Sequence, residues 1–335
     1  MRKVLIIITI LLIALISHTA EDKNSEMRME GNRGLITYDL IGELNEDAEV
    51  NFSIEYNGKR YTQDELSISG DVGKVISGNN KKIYWDVLKD FPRGLVGNID
   101  WFLDVGGKEY TDPVTGMEFV FVKGGCYQMG SNSGGSDGEK PVHEVCVDDF
   151  YIGKYEVTQN EWQKVMGNNP SYFKQCGSDC PVETVSWNDA KDFIRKLNSR
   201  SSVTFKLPTE AEWEYAAKGG ESHTYSGSDN VDAVAWYKEN SGRKTHRVGQ
   251  KQANGFGLYD MSGNVWEWVE DIYSSSAYSQ HQRNNPIYTR SGSERVYRGG
   301  SWGLNAQDVR SAFRGYWYPD GRGSDLGFRL SRTVK

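Results

Sequence analysis

The sequence predicts an α+β protein in two parts: a small immunoglobulin-like β-sandwich over residues 30–110, then a larger mixed domain over residues 117–332. Three observations carry this reading. The first part alternates apolar and polar residues at a period of two, as strands with one buried face do. The second contains three capping boxes, a Ser or Thr followed three residues later by an acid, each opening an apolar stripe at helical spacing. Beyond the third box runs a long tract rich in Gly and aromatics, in a chain holding 37 Gly, 10 Trp and 19 Tyr among 335 residues. Rings filling a core with few regular elements are the ordinary meaning of that composition.

At the N-terminus, Arg2 and Lys3 precede an apolar run from Val4 to Ile16, broken only by Thr9, and then Ser17-His-Thr-Ala20. A basic start and a short apolar stretch read as a secretory signal over residues 1–20, too short for a membrane span. His18 stands where a small residue is preferred before cleavage, so an uncleaved N-terminal anchor is the alternative, and the one route to a membrane. No cysteine follows the run, which argues against a lipoprotein. The expected location is exported: periplasm, cell surface or medium.

In the first domain Val50, Phe52, Ile54 and Tyr56 fall on one strand face, and Asn57-Gly58 suits a primed hairpin turn. Ile83, Trp85, Val87 and Ile99, Trp101, Leu103, Val105 repeat the pattern, and short strands at such spacing suggest an immunoglobulin-like sandwich. It carries no catalytic constellation and reads as a spacer or interaction module. Thr111-Asp-Pro-Val-Thr-Gly116 reads as the linker.

The three helices follow. Thr158 with Glu161 opens the first, whose Trp162, Val165 and Met166 share a face, and Gly167 ends it. Ser186 with Asp189 opens the second, placing Ala190, Phe193, Ile194 and Leu197 on one side. Thr209 with Glu212 opens the third, closed by Gly219-Gly220.

A net charge of −7 and a pI of about 5.4 exclude nucleic acid as a main partner, which wants a basic face. Export makes the four cysteines readable as disulfides. The sequence does not fix the connectivity, but the local pairing joins Cys126 to Cys146 and Cys176 to Cys180. A four-cysteine zinc site is the competitor, and the spacings do not form two Cys-x2-Cys knuckles.

Four segments occur in order: Leu207-Pro-Thr-Glu-Ala-Glu-Trp-Glu-Tyr-Ala-Ala217, Gly255-Phe-Gly-Leu-Tyr-Asp-Met-Ser-Gly-Asn-Val-Trp-Glu-Trp-Val269, Arg298-Gly-Gly-Ser-Trp302 and Leu326-Gly-Phe-Arg-Leu330. Together they resemble the formylglycine-generating enzyme (sulfatase-modifying factor) family. The resemblance covers residues 117–332 and implies that family's fold, which is related to C-type lectins. It also implies a structural calcium site, with side chains from Asp260 and Glu267 and carbonyls from Gly263 and Val265, all oxygen donors that suit calcium. The family often has Asn where Asp260 stands. Its second calcium site lies in a preceding loop; here Ala235 to Arg243 is shorter and different, so nothing transfers.

Trp266 and Ser301 match positions lining the oxidase pocket. That oxidase holds copper on two thiolates, which are soft ligands for Cu(I). Leu304 stands at the first thiolate position and Val309 at the second, and no cysteine occurs after Cys180. Copper and cysteine oxidation by the family mechanism are therefore not expected.

Other chemistries fare no better. Gly299-Gly-Ser-Trp-Gly303 fits the nucleophile-elbow pattern, but the last histidine, His281, lies before Ser301, not after it. The three-histidine iron of sulfoxide-forming relatives has no counterpart among His18, His143, His223, His246 and His281. His143-Glu144 reads as solvated surface in a polar loop. Asp308, Arg310, Arg314, Arg322 and Arg329 read as internal ion-pairing groups.

The C-terminal pattern also resembles ligand-binding lectin-fold proteins, some of which diversify residues between fixed motifs. Gly303 to Gln307 and Gly315 to Gly323 are the corresponding surface, with Tyr316, Trp317 and Tyr318, read as loop residues, as contacts for an unknown protein, peptide or glycan. The expectation is an exported, calcium-stabilised binding module. The alternative is a formylglycine-generating oxidoreductase acting on sulfatase cysteines.

Overall fold

The computed structural model describes residues 21–41, 47–57, 59–61, 63–76, 78–95, 99–106, 109–132, 137–201 and 203–333. The expected signal or anchor at 1–20, with its apolar run, lies outside the described residues. Among those described, no helix is long and apolar enough to cross a membrane. The chain divides into two compact units between Lys108 and Glu109.

The first unit is built of β1 (Glu21–Glu30), β2 (Arg33–Ile41), β3 (Asp47–Tyr56), β4 (Lys59–Tyr61), β5 (Ile68–Gly70), β6 (Gly73–Ile76), β7 (Gly78–Asp86), the single turn α1 (Val87–Asp90) and β8 (Asp100–Gly106). One antiparallel sheet runs β1-β2-β7-β5; in the other, β3 pairs with β4, β6 and β8. The alternation read from the sequence places Val50, Phe52 and Ile54 in one buried core with Ile36, Tyr38, Leu40, Ile83 and Trp85 of the first sheet. Phe52 meets Trp85 across the sheets at 6.2 Å. The hairpin from β3 to β4 turns at Asn57, whose φ of 53° is the left-handed value that an Asn accepts; its expected partner Gly58 lies outside the described residues.

Thr111 to Gly116 is not a free linker. Asp112 is buried, and its carboxylate accepts from both the backbone N–H and the hydroxyl of Thr115. The segment is a tight turn inside the second unit, joining β9 (Glu109–Thr111) to β10 (Glu118–Val122). The sequence read this segment as the linker; the buried Asp112 and its bonds to Thr115 make it a turn of the second unit instead.

The second unit continues with β11 (Gly125–Met129), β12 (His143–Val147), β13 (Phe150–Gly153), α2 (Gln159–Met166), α3 (Trp187–Asn198), α4 (Glu210–Lys218), α5 (Val231–Val234), β14 (Trp266–Ile272), β15 (Arg295–Arg298), β16 (Arg314–Trp317), β17 (Leu326–Phe328) and β18 (Ser331–Thr333). All three anticipated capping boxes are formed, at Thr158/Glu161, Ser186/Asp189 and Thr209/Glu212. Gly167 and Gly219 end their helices in the left-handed conformation. Strands β18-β13-β10-β9 form one sheet, β11 pairs with β12, and β16-β15-β14-β17 form a sheet that carries parts of three of the four family segments, the first of which lies on α4. Because β18 pairs with β13, the end of the chain closes onto the start of the unit.

Candidate functional site

The turn from Asp260 to Glu267 is held in a demanding backbone. Asp260 and Asn264 both have φ of 57° and Gly263 has 80°. A Cβ on Gly263 would collide with the Trp236 carbonyl, so glycine is required there. Asn264 locks the turn: its amide donates to Glu156 at 2.7 Å and its carbonyl accepts from His246 N–H at 3.0 Å. The Val265 N–H donates to the other Glu156 oxygen at 3.0 Å.

Of the two expected carboxylate ligands, Asp260 is buried, with one oxygen accepting from Gly249 N–H at 2.7 Å and the other without any partner. Burial raises its pKa to about 6. Glu267 is committed elsewhere. Arg329 grips both of its oxygens at 2.6 Å, and the Trp213 indole donates to one of them at 2.7 Å. Glu156 is the residue the sequence reading missed. Burial, then the charges of Asp260 and Glu267, push its carboxyl well above the usual range. Its only signal was an acid between Tyr155 and Val157, just before a capping box. Among the described residues no group of three or more His, Cys, Asp or Glu is arranged to hold a metal; the anticipated set has two carboxylates and two carbonyls.

The pocket positions are packed. Trp266 lies edge-on to Tyr297 at 4.7 Å and stacks with Phe313 at 5.9 Å. Ser301 is buried and donates to Asp325 at 2.9 Å, while its oxygen accepts from Gly303 N–H, so it ties a turn. Leu304 packs against two apolar clusters and Val309 is buried in one of them. Cys126–Cys146 and Cys176–Cys180 are disulfides and no free cysteine is present. Cys126 and Cys146 stand directly opposite each other in the β11–β12 ladder.

The arginines beside these motifs are structural. Arg298 spans Glu210 and Glu214 at 2.6 Å each, Arg314 forks onto Glu210, and Arg310 forks onto Glu139. Burial alone would raise Glu210, but Arg314 and Arg298 outweigh it and hold the acid at about 2. Arg322 pairs with Asp189 at the surface instead. His143 is in strand β12, not in a polar loop, and faces His281.

Tyr316, Trp317 and Tyr318 are exposed by 45%, 42% and 54%. Tyr316 and Trp317 end the edge strand β16, where the sequence suggested a loop; pairing with Val296 and Arg295 extends them. Tyr316 stacks on Tyr273 at 3.7 Å. Trp317 lies over Gly321, where a Cβ would meet its ring at 2.6 Å.

Residues 107–334 match the family model described as "Sulfatase-modifying factor enzyme 1-like domain", and this chain belongs to that family. Chaperone protein LppX of Paenibacillus barcinonensis is 35% identical over 269 residues, covering 64% of this chain and 89% of that one. Formylglycine-generating enzyme of Bos taurus is 28% identical, covering 65% and 75%. Serine/threonine-protein kinase pkn1 of Chlamydia caviae is 32% identical over 65% of this chain, but only 38% of its own length is spanned. Among solved structures, Treponema denticola variable protein 1 is similar with a TM-score of 0.57 and 34% identity, covering 67% of this chain and 98% of that one. PvdO from Pseudomonas aeruginosa gives a TM-score of 0.61 at 26% identity, covering 68% and 98%.

Proposed function

We propose that this chain is an exported, calcium-stabilised binding module on the sulfatase-modifying scaffold, without cysteine oxidase activity. One observation carries the reading. The two positions where the oxidase keeps copper-binding thiolates hold Leu304 and Val309, packed among apolar groups, and all four cysteines are in disulfides. Neither side chain offers a metal lone pair or a redox-active sulfur. In this reading the second unit is a C-type-lectin-like scaffold and the first an immunoglobulin-like spacer.

The calcium part rests on an unpartnered oxygen. Asp260 and Glu267 are buried in one turn, and one Asp260 oxygen lacks any donor. A buried carboxylate oxygen with no donor, beside backbone carbonyls, suits a divalent ion that takes oxygen ligands. Asp260 and the Gly263 and Val265 carbonyls would hold it, with Glu267 shared with Arg329. The ion would pin a backbone that carries two left-handed non-glycine residues.

The binding part rests on Tyr316, Trp317 and Tyr318, rings exposed at and just beyond the end of β16. The ligand is a protein, peptide or glycan; that a relative is named a chaperone favours protein. The test pairs two measurements. Chelation, and Asp260→Ala, should lower the melting temperature. Tyr316→Ala with Trp317→Ala should abolish capture on peptide and glycan arrays while leaving calcium-dependent melting unchanged. Melting indifferent to chelation would remove the calcium part, and undiminished capture would remove the surface.

A further inference from the structure

His143 on β12 and His281 are 138 residues apart in sequence, yet His143 Nε2 lies 3.0 Å from His281 Nδ1. Their ring centres are 5.1 Å apart, and both rings rest against Tyr278, at 5.0 and 5.3 Å. His143 Nδ1 is 3.0 Å from the Pro141 carbonyl oxygen. A carbonyl only accepts, so Nδ1 carries the ring proton and Nε2 turns a lone pair toward His281.

The pair is held in place from both sides. Cys146, three residues beyond His143, is bonded to Cys126 across the hairpin. Its N–H donates to the Arg283 carbonyl and its own carbonyl accepts from Asn285 N–H, both at 2.7 Å. Arg283 also pairs with Glu144 at 2.7 Å. The strand bearing His143 and the segment bearing His281 are thus stitched together beside the two rings.

We propose that His143 Nε2 and His281 Nδ1 form a two-imidazole site for a divalent transition-metal cation of the zinc type, completed by water. Zinc–nitrogen bonds of about 2.0–2.1 Å, at angles between octahedral and tetrahedral, separate two donor nitrogens by about 2.9–3.4 Å. The observed 3.0 Å lies in that range. The Pro141 carbonyl does for His143 what outer partners do for metal-bound histidines, fixing the tautomer and the ring orientation. Imidazole nitrogens select such ions over calcium, which takes oxygen ligands. The site is therefore independent of the calcium reading. The competing role for the same geometry is a direct hydrogen bond from His281 to His143, with no ion.

The deciding experiment titrates Zn2+ into tag-free full-length protein at saturating Ca2+, followed by calorimetry. One equivalent should bind, and His143→Gln or His281→Gln should each weaken it by at least about tenfold, while His223→Gln should not. Unaltered protein supplies a second readout that needs no variant: Zn2+ should protect His143 and His281 from diethylpyrocarbonate, mapped by mass spectrometry. Zinc binding unchanged in both folded variants, or no protection of these two rings, overturns the site.

Discussion

Arg329 and Glu267, 62 residues apart, meet in a two-pronged ion pair with both contacts at 2.6 Å and neither side chain exposed. The pair joins the last family motif to the turn that carries the expected calcium ligands. Removing Arg329 would leave Glu267 buried without its ion-pair partner.

Arg329→Met should therefore cost about 3–5 kcal/mol, the penalty for stranding a buried charge. Arg322→Ala breaks a surface pair with Asp189 and should cost no more than about 1 kcal/mol. Urea unfolding of both variants checks the contrast; equal losses would mean that Arg329 is not the keystone of this cluster.

Stability should peak on the acid side of neutral. Burial, then the charge of Glu210, raises Asp271 to about 7, so the folded state holds a proton there that the unfolded chain has lost. Its contribution is full at low pH and fades as pH rises from about 4 through 7. Glu210, held at about 2, works in the opposite sense, and its contribution is lost as pH falls below about 4.5. Melting temperature should thus decline from pH 5 to 8, and Asp271→Asn should flatten that slope even if it lowers every value. A slope unchanged by the substitution would contradict the assignment.

The two disulfides should differ in worth. Cys126–Cys146 closes a loop with a sequence separation of 20 and Cys176–Cys180 one of 4. Loop-closure entropy gives about 3 kcal/mol for the first and about 2 kcal/mol for the second. Paired Cys→Ser variants compared by chemical unfolding measure both, and a larger loss at 176–180 would run against the entropic account.

Much of this was legible in the sequence, for local reasons. The capping boxes at Thr158, Ser186 and Thr209 are complete within four residues, so nothing distant could override them. The alternation of Val50, Phe52 and Ile54 likewise fixed a buried face. The turn at 260–267 and its special backbone were readable from Gly263 within a family motif. What was not readable depends on contacts distant in sequence. Glu156 reaches Asn264 across 108 residues, and no local pattern marks it as the partner of that turn. Glu267 looked like a free carboxylate because Arg329, just beyond β17, reaches it across 62 residues. Tyr316 and Trp317 looked like loop residues because Gly and Pro surround them, whereas pairing with β15 makes them a strand end.

The most direct test of the central claim offers a sulfatase-motif peptide, containing its cysteine, to the purified protein with copper and oxygen. Mass spectrometry then reads conversion of that cysteine to formylglycine. With Leu304 and Val309 at the thiolate positions and every cysteine already in a disulfide, no conversion is expected, with or without copper. Copper-dependent formation of formylglycine by the unaltered protein would show that the scaffold retains its family's oxidase chemistry and would contradict the account.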